Sequence, residues 1–150
     1  MCRRCDYTGM LVNAGLTPLP NRLKILEVIG DSSSPLSAGE IHGILKRRNR
    51  INSVTVYRIL GLLVKNRLVE KIISGDQSRR YGPAPNHYHR PHAHFFCRSC
   101  KSLKCLHPES LLLDIESLRK TFPGVIEHTQ IRIDGICEKC LKKAHSNTAA

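Results

Sequence analysis

Four of the cysteines in this chain form two Cys-x-x-Cys pairs, Cys97 with Cys100 and Cys137 with Cys140. Each pair places two soft thiolates on a tight turn, and two such pairs make the tetrahedral four-sulfur shell that Zn²⁺ takes in closed structural sites. A dithiol oxidoreductase would need one pair to open a helix within a βαβ pattern, and neither pair has that setting. We therefore predict one structural zinc ion per monomer, bound by these four cysteines.

A group of histidines stands just ahead of the first pair, and one further cysteine follows it. These residues are His87, His89, His92, His94 and Cys105. His92 and His94 are two residues apart on a predicted strand and should point to the same side, where Cys105 on the neighbouring strand can meet them. His87 or His89 would complete four ligands. A thiolate among imidazoles favours Zn²⁺ over Mn²⁺ or Fe²⁺, so we predict a second, regulatory divalent metal here. The alternative is a solvated histidine segment beside a buried Cys105.

Other residues with metal-binding chemistry carry weaker signals. Cys2 and Cys5 form a third pair, but terminal residues are usually poorly ordered, so the pair is given no role. Glu70 and His128 are possible accessory metal ligands. His42 is expected at the surface of a helix.

The chain has 150 residues and a formal net charge of +12 at pH 7. This excess favours a polyanionic partner, although a merely solvated basic surface is the alternative. No stretch approaches the roughly 18 apolar residues of a membrane span, and residues 1–6 lack the apolar run of a signal peptide. We therefore expect a cytoplasmic protein with reduced thiols and no membrane partner.

The segment from Gly82 to Asn86 is the predicted domain boundary, because two prolines and a glycine there cannot continue a helix or a central strand. The prediction is a DNA-binding domain over residues 1–82, a hinge over 83–86, and a dimerisation and metal-binding domain over 87–150.

Three helices are predicted before this boundary. The first runs over residues 20–29 and stops at Gly30. Residues 37–40 read as a capping box that opens the second helix, and Asn52 caps the third, over residues 53–66. Two strands, residues 68–73 and 79–81, then flank a loop of hairpin length.

Helices followed by a basic hairpin indicate a winged helix-turn-helix, with the third helix as recognition helix. Its outer face would read base edges in the major groove, while the wing would reach the backbone or minor groove. The predicted DNA-binding residues are Ser53, Thr55, Tyr57, Arg58, Arg79 and Arg80. Packing against the preceding helix is the alternative for Tyr57.

The second domain is predicted as a small α/β module, which makes the whole chain α+β. Strands are expected over residues 94–98, 103–106 and 125–133, and an amphipathic helix over 109–121. An unpaired strand edge there would suit dimer formation.

Several short motifs occur in a telling order. They are Leu16-Thr17-Pro18, Thr55-Val56-Tyr57-Arg58, Gly75-Asp76, His92-x-His94 ahead of Cys97-x-x-Cys100, and Gly135-x-Cys137-x-x-Cys140. In this spacing, over residues 10–143, the chain resembles the ferric-uptake-regulator family of bacterial metalloregulators. The resemblance implies a homodimeric repressor with an N-terminal winged helix, a C-terminal dimerisation domain, a four-cysteine structural zinc site and a sensory metal site near the hinge.

Departures from the family pattern bear on the sensed metal. Gly82 stands where many members have a carboxylate ligand, and Cys105 stands where many have a glutamate. An accessory site of some members is expected to be absent, because its positions here are Pro91, Ala93 and Leu112. These differences favour the zinc-responsive branch.

The leading hypothesis is a metal-dependent repressor that responds to zinc. It would control metal-homeostasis genes by binding an inverted-repeat operator in double-stranded DNA. It is not expected to be an enzyme or to have a small-molecule substrate. An iron-, manganese- or peroxide-responsive regulator of the same family is the first alternative. A zinc hydrolase, which commonly uses a motif such as His-Glu-x-x-His that is missing here, and an RNA-binding zinc module are the others.

Overall fold

The computed structural model describes residues 5–47 and 50–148. The chain divides into two compact units, and the division falls between Arg90 and Pro91. The segment predicted as a hinge, residues 83–86, therefore lies within the first unit. Cys2 of the third Cys-x-x-Cys pair lies outside the described residues.

Four helices form most of the first unit. They are α1 (Tyr7–Asn13), α2 (Pro20–Asp31), α3 (Ala38–Lys46) and α4 (Ser53–Lys65). Sequence reasoning missed α1, although its signals are present. Asp6 accepts a hydrogen bond from the Gly9 N–H and so caps the helix, while Met10 and Leu11 pack into the core.

The sequence predicted that Gly30 ends α2, but the helix continues to Asp31. Its role is close packing. A Cβ added at Gly30 would lie 1.7 Å from the hydroxyl oxygen of Tyr7, so only glycine lets the α1 side chain rest on α2.

The predicted starts of α3 and α4 are confirmed. Ser37 and Glu40 form the reciprocal capping box, with the Glu40 N–H 3.2 Å from Ser37 Oγ and the Ser37 N–H 2.7 Å from Glu40 Oε2. Asn52 Oδ1 accepts from the Thr55 N–H at 2.8 Å. Each cap satisfies amide groups that the first helical turn leaves without partners.

The wing is a three-stranded sheet in the order β1-β3-β2, with β1 Leu36–Ser37, β2 Val69–Ile73 and β3 Arg79–Pro83. The hairpin of β2 and β3 confirms the predicted wing. However, β3 is the central strand and includes Gly82 and Pro83, which the sequence excluded from such a strand. Proline is tolerated because β1 is only two residues long and pairs with Tyr81 and Arg80, so Pro83 has a neighbouring strand on one side only.

A single apolar core holds the first unit together. Helices α2, α3 and α4 each bury one face, and the start of β2 closes the core. Fully buried side chains include Leu11, Ile25, Ile41, Val56, Leu60 and Leu63. Within the described residues, no helix is both long and apolar enough to cross a bilayer.

The second unit is built on a sheet in the order β5-β4-β6, with β4 His94–Cys97, β5 Leu103–Cys105 and β6 Arg132–Gly135. Strands β4 and β5 are antiparallel, whereas β4 and β6 are parallel. Two helices complete the unit, α5 (Ile115–Thr121) and α6 (Glu138–Thr148). Sequence reasoning missed α6.

Two predicted elements of this unit are shorter than expected. The helix predicted over 109–121 is a 3₁₀ turn at Pro108–Ser110 followed by α5, because Asp114 caps a new helix by accepting from the Ser117 N–H. The strand predicted over 125–133 is paired only from Arg132, where β4 lies beside it. The leucines between the two helical segments, Leu111, Leu112 and Leu113, are exposed.

Candidate metal centres and recognition surface

The four-cysteine group is assembled by the parallel pairing of β4 and β6. Cys97 ends β4 and is in register with Gly135 at the end of β6. Cys137 follows two residues after Gly135, and Cys140 lies in the first turn of α6. The two Cys-x-x-Cys turns therefore meet at one end of the sheet.

The sulfur positions suit a tetrahedral metal. Cys97 Sγ lies 3.9 Å from Cys140 Sγ, and Cys100 Sγ lies 3.8 Å from Cys137 Sγ. Sulfurs at the corners of a tetrahedron with Zn–S bonds of about 2.3 Å are about 3.8 Å apart, whereas a disulfide needs about 2.0 Å. The four cysteines match a closed zinc site and do not form disulfides.

Backbone and hydroxyl donors favour the metal-binding thiolate form of Cys97 and Cys100, whereas the neighbouring cysteines raise the pKa of Cys140 to about 11. The N–H groups of Cys100 and Cys137 lower the pKa of Cys97 to about 6, and the Cys137 nitrogen is 3.3 Å from Cys97 Sγ. Ser102 lowers the pKa of Cys100 through its hydroxyl and its backbone N–H. A lowered thiol pKa is typical of metal-binding cysteines.

A second group of ligand atoms comes together in the same unit. His92, His94 and Cys105 each offer one ligand atom, and these atoms all lie within 4.8 Å of one another. The register of β4 and β5 pairs His94 directly with Cys105. The sequence predicted His92 on the same strand as His94, but His92 lies just before β4. The ring centroids of His92 and His94 are nevertheless only 4.8 Å apart.

His94 is buried, neutral and has a ring nitrogen available for a metal ion. It is 3% exposed, and among the described residues its Nδ1 atom has no hydrogen-bond partner. Burial, and then the nearby His92, lower the pKa of His94 to about 4, so the imidazole is neutral near pH 7 and keeps a lone pair for metal. The alternative without metal required a buried Cys105, but this residue is exposed.

The other predicted metal ligands are not part of this three-residue group. His87 and His89 belong to the first unit. Glu70 lies on β2 opposite Gly82, and His128 is exposed before β6. Roles for these four residues remain predictions.

The site of the missing carboxylate at Gly82 is apolar. A Cβ at Gly82 would lie 3.5 Å from the Ile72 side chain and 3.8 Å from that of Pro35. His107-Pro108-Glu109 has the His-x-Glu spacing of zinc deaminases. However, His107 caps the 3₁₀ turn by accepting from the Glu109 N–H, and neither residue belongs to a ligand group in the described chain.

Helix α4 presents a mixed outer face while its apolar stripe is buried. Ser53 and Arg58 are exposed and Thr55 is half-buried. Tyr57 is 59% exposed, which excludes the alternative that its ring is packed away against the preceding helix. Val54, at 58% exposed, lies on the same face. The sequence signal for Val54 was its position outside the stripe formed by Val56, Leu60 and Leu63.

The wing strand carries an exposed basic residue. Arg79 is exposed and shares a face of β3 with the buried Tyr81. Burial raises the pKa of Tyr81, the charge of Arg79 lowers it, and Tyr57 raises it. Arg79 of the wing and Tyr57 of α4 are therefore both within electrostatic range of Tyr81.

Arg80, also predicted to contact DNA, points to the other side of β3 and is engaged within the unit. Its Nη1 atom lies 3.3 Å from Glu40 Oε2 and donates to the Pro35 carbonyl at 3.4 Å. The predicted surface residue His42 is half-buried, with Nε2 3.0 Å from the Ile51 carbonyl oxygen just before α4.

Comparison with known proteins identifies a protein family and one relative with substantial sequence identity. The model of the ferric uptake regulator family matches residues 13–133. The ferric uptake regulation protein of Bacillus subtilis is 31% identical over 107 residues, which cover 70% of this chain and 71% of that protein.

Solved structures of the same fold cover nearly the whole chain. The ferric uptake regulator of Helicobacter pylori, described as having three functional metal-binding sites, superposes with a TM-score of 0.71 at 23% identity, covering 94% of this chain and 97% of that one. A zinc uptake regulator complexed with zinc and DNA gives a TM-score of 0.61 at 20% identity, covering 95% and 99%. These likenesses establish the fold.

Proposed function

We infer the function of this chain from its family, since it belongs to the ferric uptake regulator family. The proposal is a cytoplasmic, metal-dependent transcriptional repressor that responds to zinc. It binds an inverted repeat in double-stranded DNA as a homodimer and thereby controls metal-homeostasis genes. The observation that carries it is the group of His92, His94 and Cys105, separate from the four-cysteine group.

The four cysteines are proposed to hold one structural zinc ion. Their sulfur separations and the donors around Cys97 and Cys100 support this role. Binding in such a site is coupled to folding. The second unit needs this support, because its helix α5 buries no residue.

The second group is proposed to bind the regulatory metal. Two imidazoles and one thiolate form a nitrogen and sulfur donor set, which suits Zn²⁺ better than the harder Mn²⁺ or Fe²⁺. Its solvent-exposed Cys105 lets the ion exchange with the medium, as a sensor requires. His87 or His89 is proposed as the fourth ligand, since both precede His92 closely in the sequence.

The outer face of α4 and the wing are proposed to bind DNA. Arg58 can bind guanine through two hydrogen bonds, and Val54 and Tyr57 can contact thymine methyl groups. Arg79, which is exposed on the wing, is proposed to contact phosphate. The net charge of +12 supports a polyanionic partner.

A homodimer formed through the second unit is proposed because this unit leaves many large apolar side chains exposed. Patches of this kind mark interaction surfaces. The exposed residues are Leu111, Leu112, Leu113, Leu118, Phe122, Val125, Ile133, Ile136 and Leu141. A symmetric dimer carries two winged helices and so requires an inverted-repeat operator.

Regulation is proposed to occur by a population shift. His92, His94 and Cys105 would bind the metal more tightly in the DNA-competent conformation than in the other, and the metal would thereby favour DNA binding. Iron is the second candidate signal, because the B. subtilis relative at 31% identity is a ferric uptake regulation protein.

Selection of genomic DNA fragments by the purified protein tests this function. With zinc present, the selected fragments should share an inverted repeat and bind more tightly than random duplex of the same length. Equal affinity for both duplexes, RNA binding that does not depend on metal, or hydrolytic turnover would each contradict the proposal.

A further inference from the structure

Arg79 and Arg80 are neighbours on the wing strand, yet the structure uses their side chains differently. Arg79 is exposed. The side chain of Arg80 is only 17% exposed, and its guanidinium contacts both Glu40 and the Pro35 carbonyl. It could reach a DNA phosphate only by giving up both contacts.

The partner carboxylate is itself held in place. Glu40 Oε2 accepts the Ser37 N–H at 2.7 Å as half of the capping box of α3, and Ser37 pairs with Arg80 in the β1–β3 register. One carboxylate oxygen thus connects the start of α3 to the side chain of the wing strand. Backbone pairing and this side-chain contact join the same two segments.

We propose that Arg80 is a positioning residue for DNA binding and not a DNA contact. Through Glu40 and Pro35 it fixes β3 against the start of α3, and this sets the position of the neighbouring Arg79 on the wing. The inference rests on the proposed DNA-binding function. It assigns the two adjacent arginines different roles, which the sequence alone could not separate.

A double-mutant cycle of Arg80→Gln and Glu40→Gln tests the proposal, with binding to the selected duplex measured over a range of salt concentrations. Glutamine at position 40 keeps the capping box, because glutamine serves there as well as glutamate. Arg79→Gln is the matched control, since it removes the same charge from the next residue of the same strand.

Each single variant of the pair should bind about two- to fivefold more weakly. The double variant should be no weaker than Arg80→Gln alone, because Glu40→Gln affects only a contact that Arg80→Gln has already removed. The slope of log affinity against log salt should stay at the wild-type value in Arg80→Gln and become shallower by about one in Arg79→Gln. A shallower slope in Arg80→Gln, or additive losses in the double variant, would overturn the proposal.

Amide hydrogen exchange without DNA gives an independent readout. Arg80→Gln and Glu40→Gln should both speed exchange in the wing, residues 74–81, and leave α2 protected, whereas Arg79→Gln should not. Unchanged wing exchange overturns the proposal whatever the DNA result. If exchange responds as expected but the wild type binds no duplex sequence-specifically, the proposed function fails and the DNA role of Arg80 fails with it.

Discussion

His94 and Cys105 are direct partners across the antiparallel strands β4 and β5. Directly opposite residues project from the same face of a sheet, so the pairing sets the imidazole and the thiol side by side without any loop rearrangement. Because both residues lie on paired strands, the sheet itself holds these two potential metal ligands together. The exposed thiol of Cys105 and the buried ring of His94 give this group one face open to solvent.

The two ligand groups should load independently. Wild-type protein is expected to bind about two zinc ions per monomer, and His94→Ala or Cys105→Ser about one. Cys105→Ser changes a single ligand atom, and the four-cysteine group is untouched. Metal content after dialysis against zinc checks the stoichiometry, and loss of both ions in Cys105→Ser would contradict independent sites.

Replacing a cysteine of the four-cysteine group should remove the structural zinc and leave the metal at the second group. Cys100→Ser should remove the structural zinc and destabilise the second unit, because metal binding there is coupled to folding. Circular dichroism melting and metal analysis measure both effects, with Cys105→Ser as the control that keeps its stability. Full zinc content and an unchanged melting temperature in Cys100→Ser would exclude a structural site at these cysteines.

His94 should make stability depend on pH. Burial lowers the folded-state pKa of His94 to about 4, below the ordinary histidine value of 6.5, so the unfolded chain takes up a proton at this residue first as the pH falls. The free energy of unfolding should therefore decrease between about pH 6.5 and pH 4.

Without metal at the second site, the wild type should lose about 1 to 2 kcal/mol more between pH 7 and pH 5 than His94→Gln does. Denaturant unfolding of both proteins measures the difference. Equal losses would show that the ring is not held in its neutral form.

The recognition helix and the wing should contribute differently to DNA affinity. Arg58→Ala should cost about 1 to 3 kcal/mol of binding and relax base preference at one position. Arg79→Ala should weaken binding evenly across sequences and reduce its salt dependence. Binding to a set of single-base operator variants separates the two, and the same sequence profile for both variants would contradict these roles.

The exposed apolar side chains of the second unit should form the dimer interface. Leu112 and Val125 are 83% and 86% exposed, and a charge at either should give monomers, because an interface core excludes unpaired charge. Leu112→Glu is tested by sedimentation equilibrium, with Leu19→Glu of the first unit as control. A Leu112→Glu variant that stays dimeric would place the interface elsewhere.

Local capping signals predicted the first unit well. The Ser37–Glu40 box and the Asn52 cap fix where α3 and α4 start, and a Gly-containing loop of hairpin length predicts the wing hairpin. Both signals act within a few residues, so the sequence alone reveals them. The four-cysteine group was predictable for a similar reason, because each pair of ligands is local.

Features that depend on distant partners could not be predicted. Gly30 is required where the Tyr7 side chain packs on α2, and the Arg80 side chain is engaged within the unit because Glu40 of α3 lies within reach of its guanidinium. The apolar residues from Leu111 to Leu113 gave a helical pattern, but Asp114 caps a helix that starts after them. Their apolar character is explained by the proposed dimer and not by the core of one chain.

The account depends most directly on the claim that metal at His92, His94 and Cys105 controls DNA binding. The decisive measurement is the affinity for the selected inverted-repeat duplex, with the structural zinc in place, during titration with zinc, iron, manganese or nickel. Zinc should raise the affinity of the wild type at least tenfold, and His94→Ala and Cys105→Ser should bind weakly at every zinc concentration, as the linkage of metal and DNA binding requires. Zinc activation that persists in both variants, or activation of the wild type by iron alone, would contradict the account.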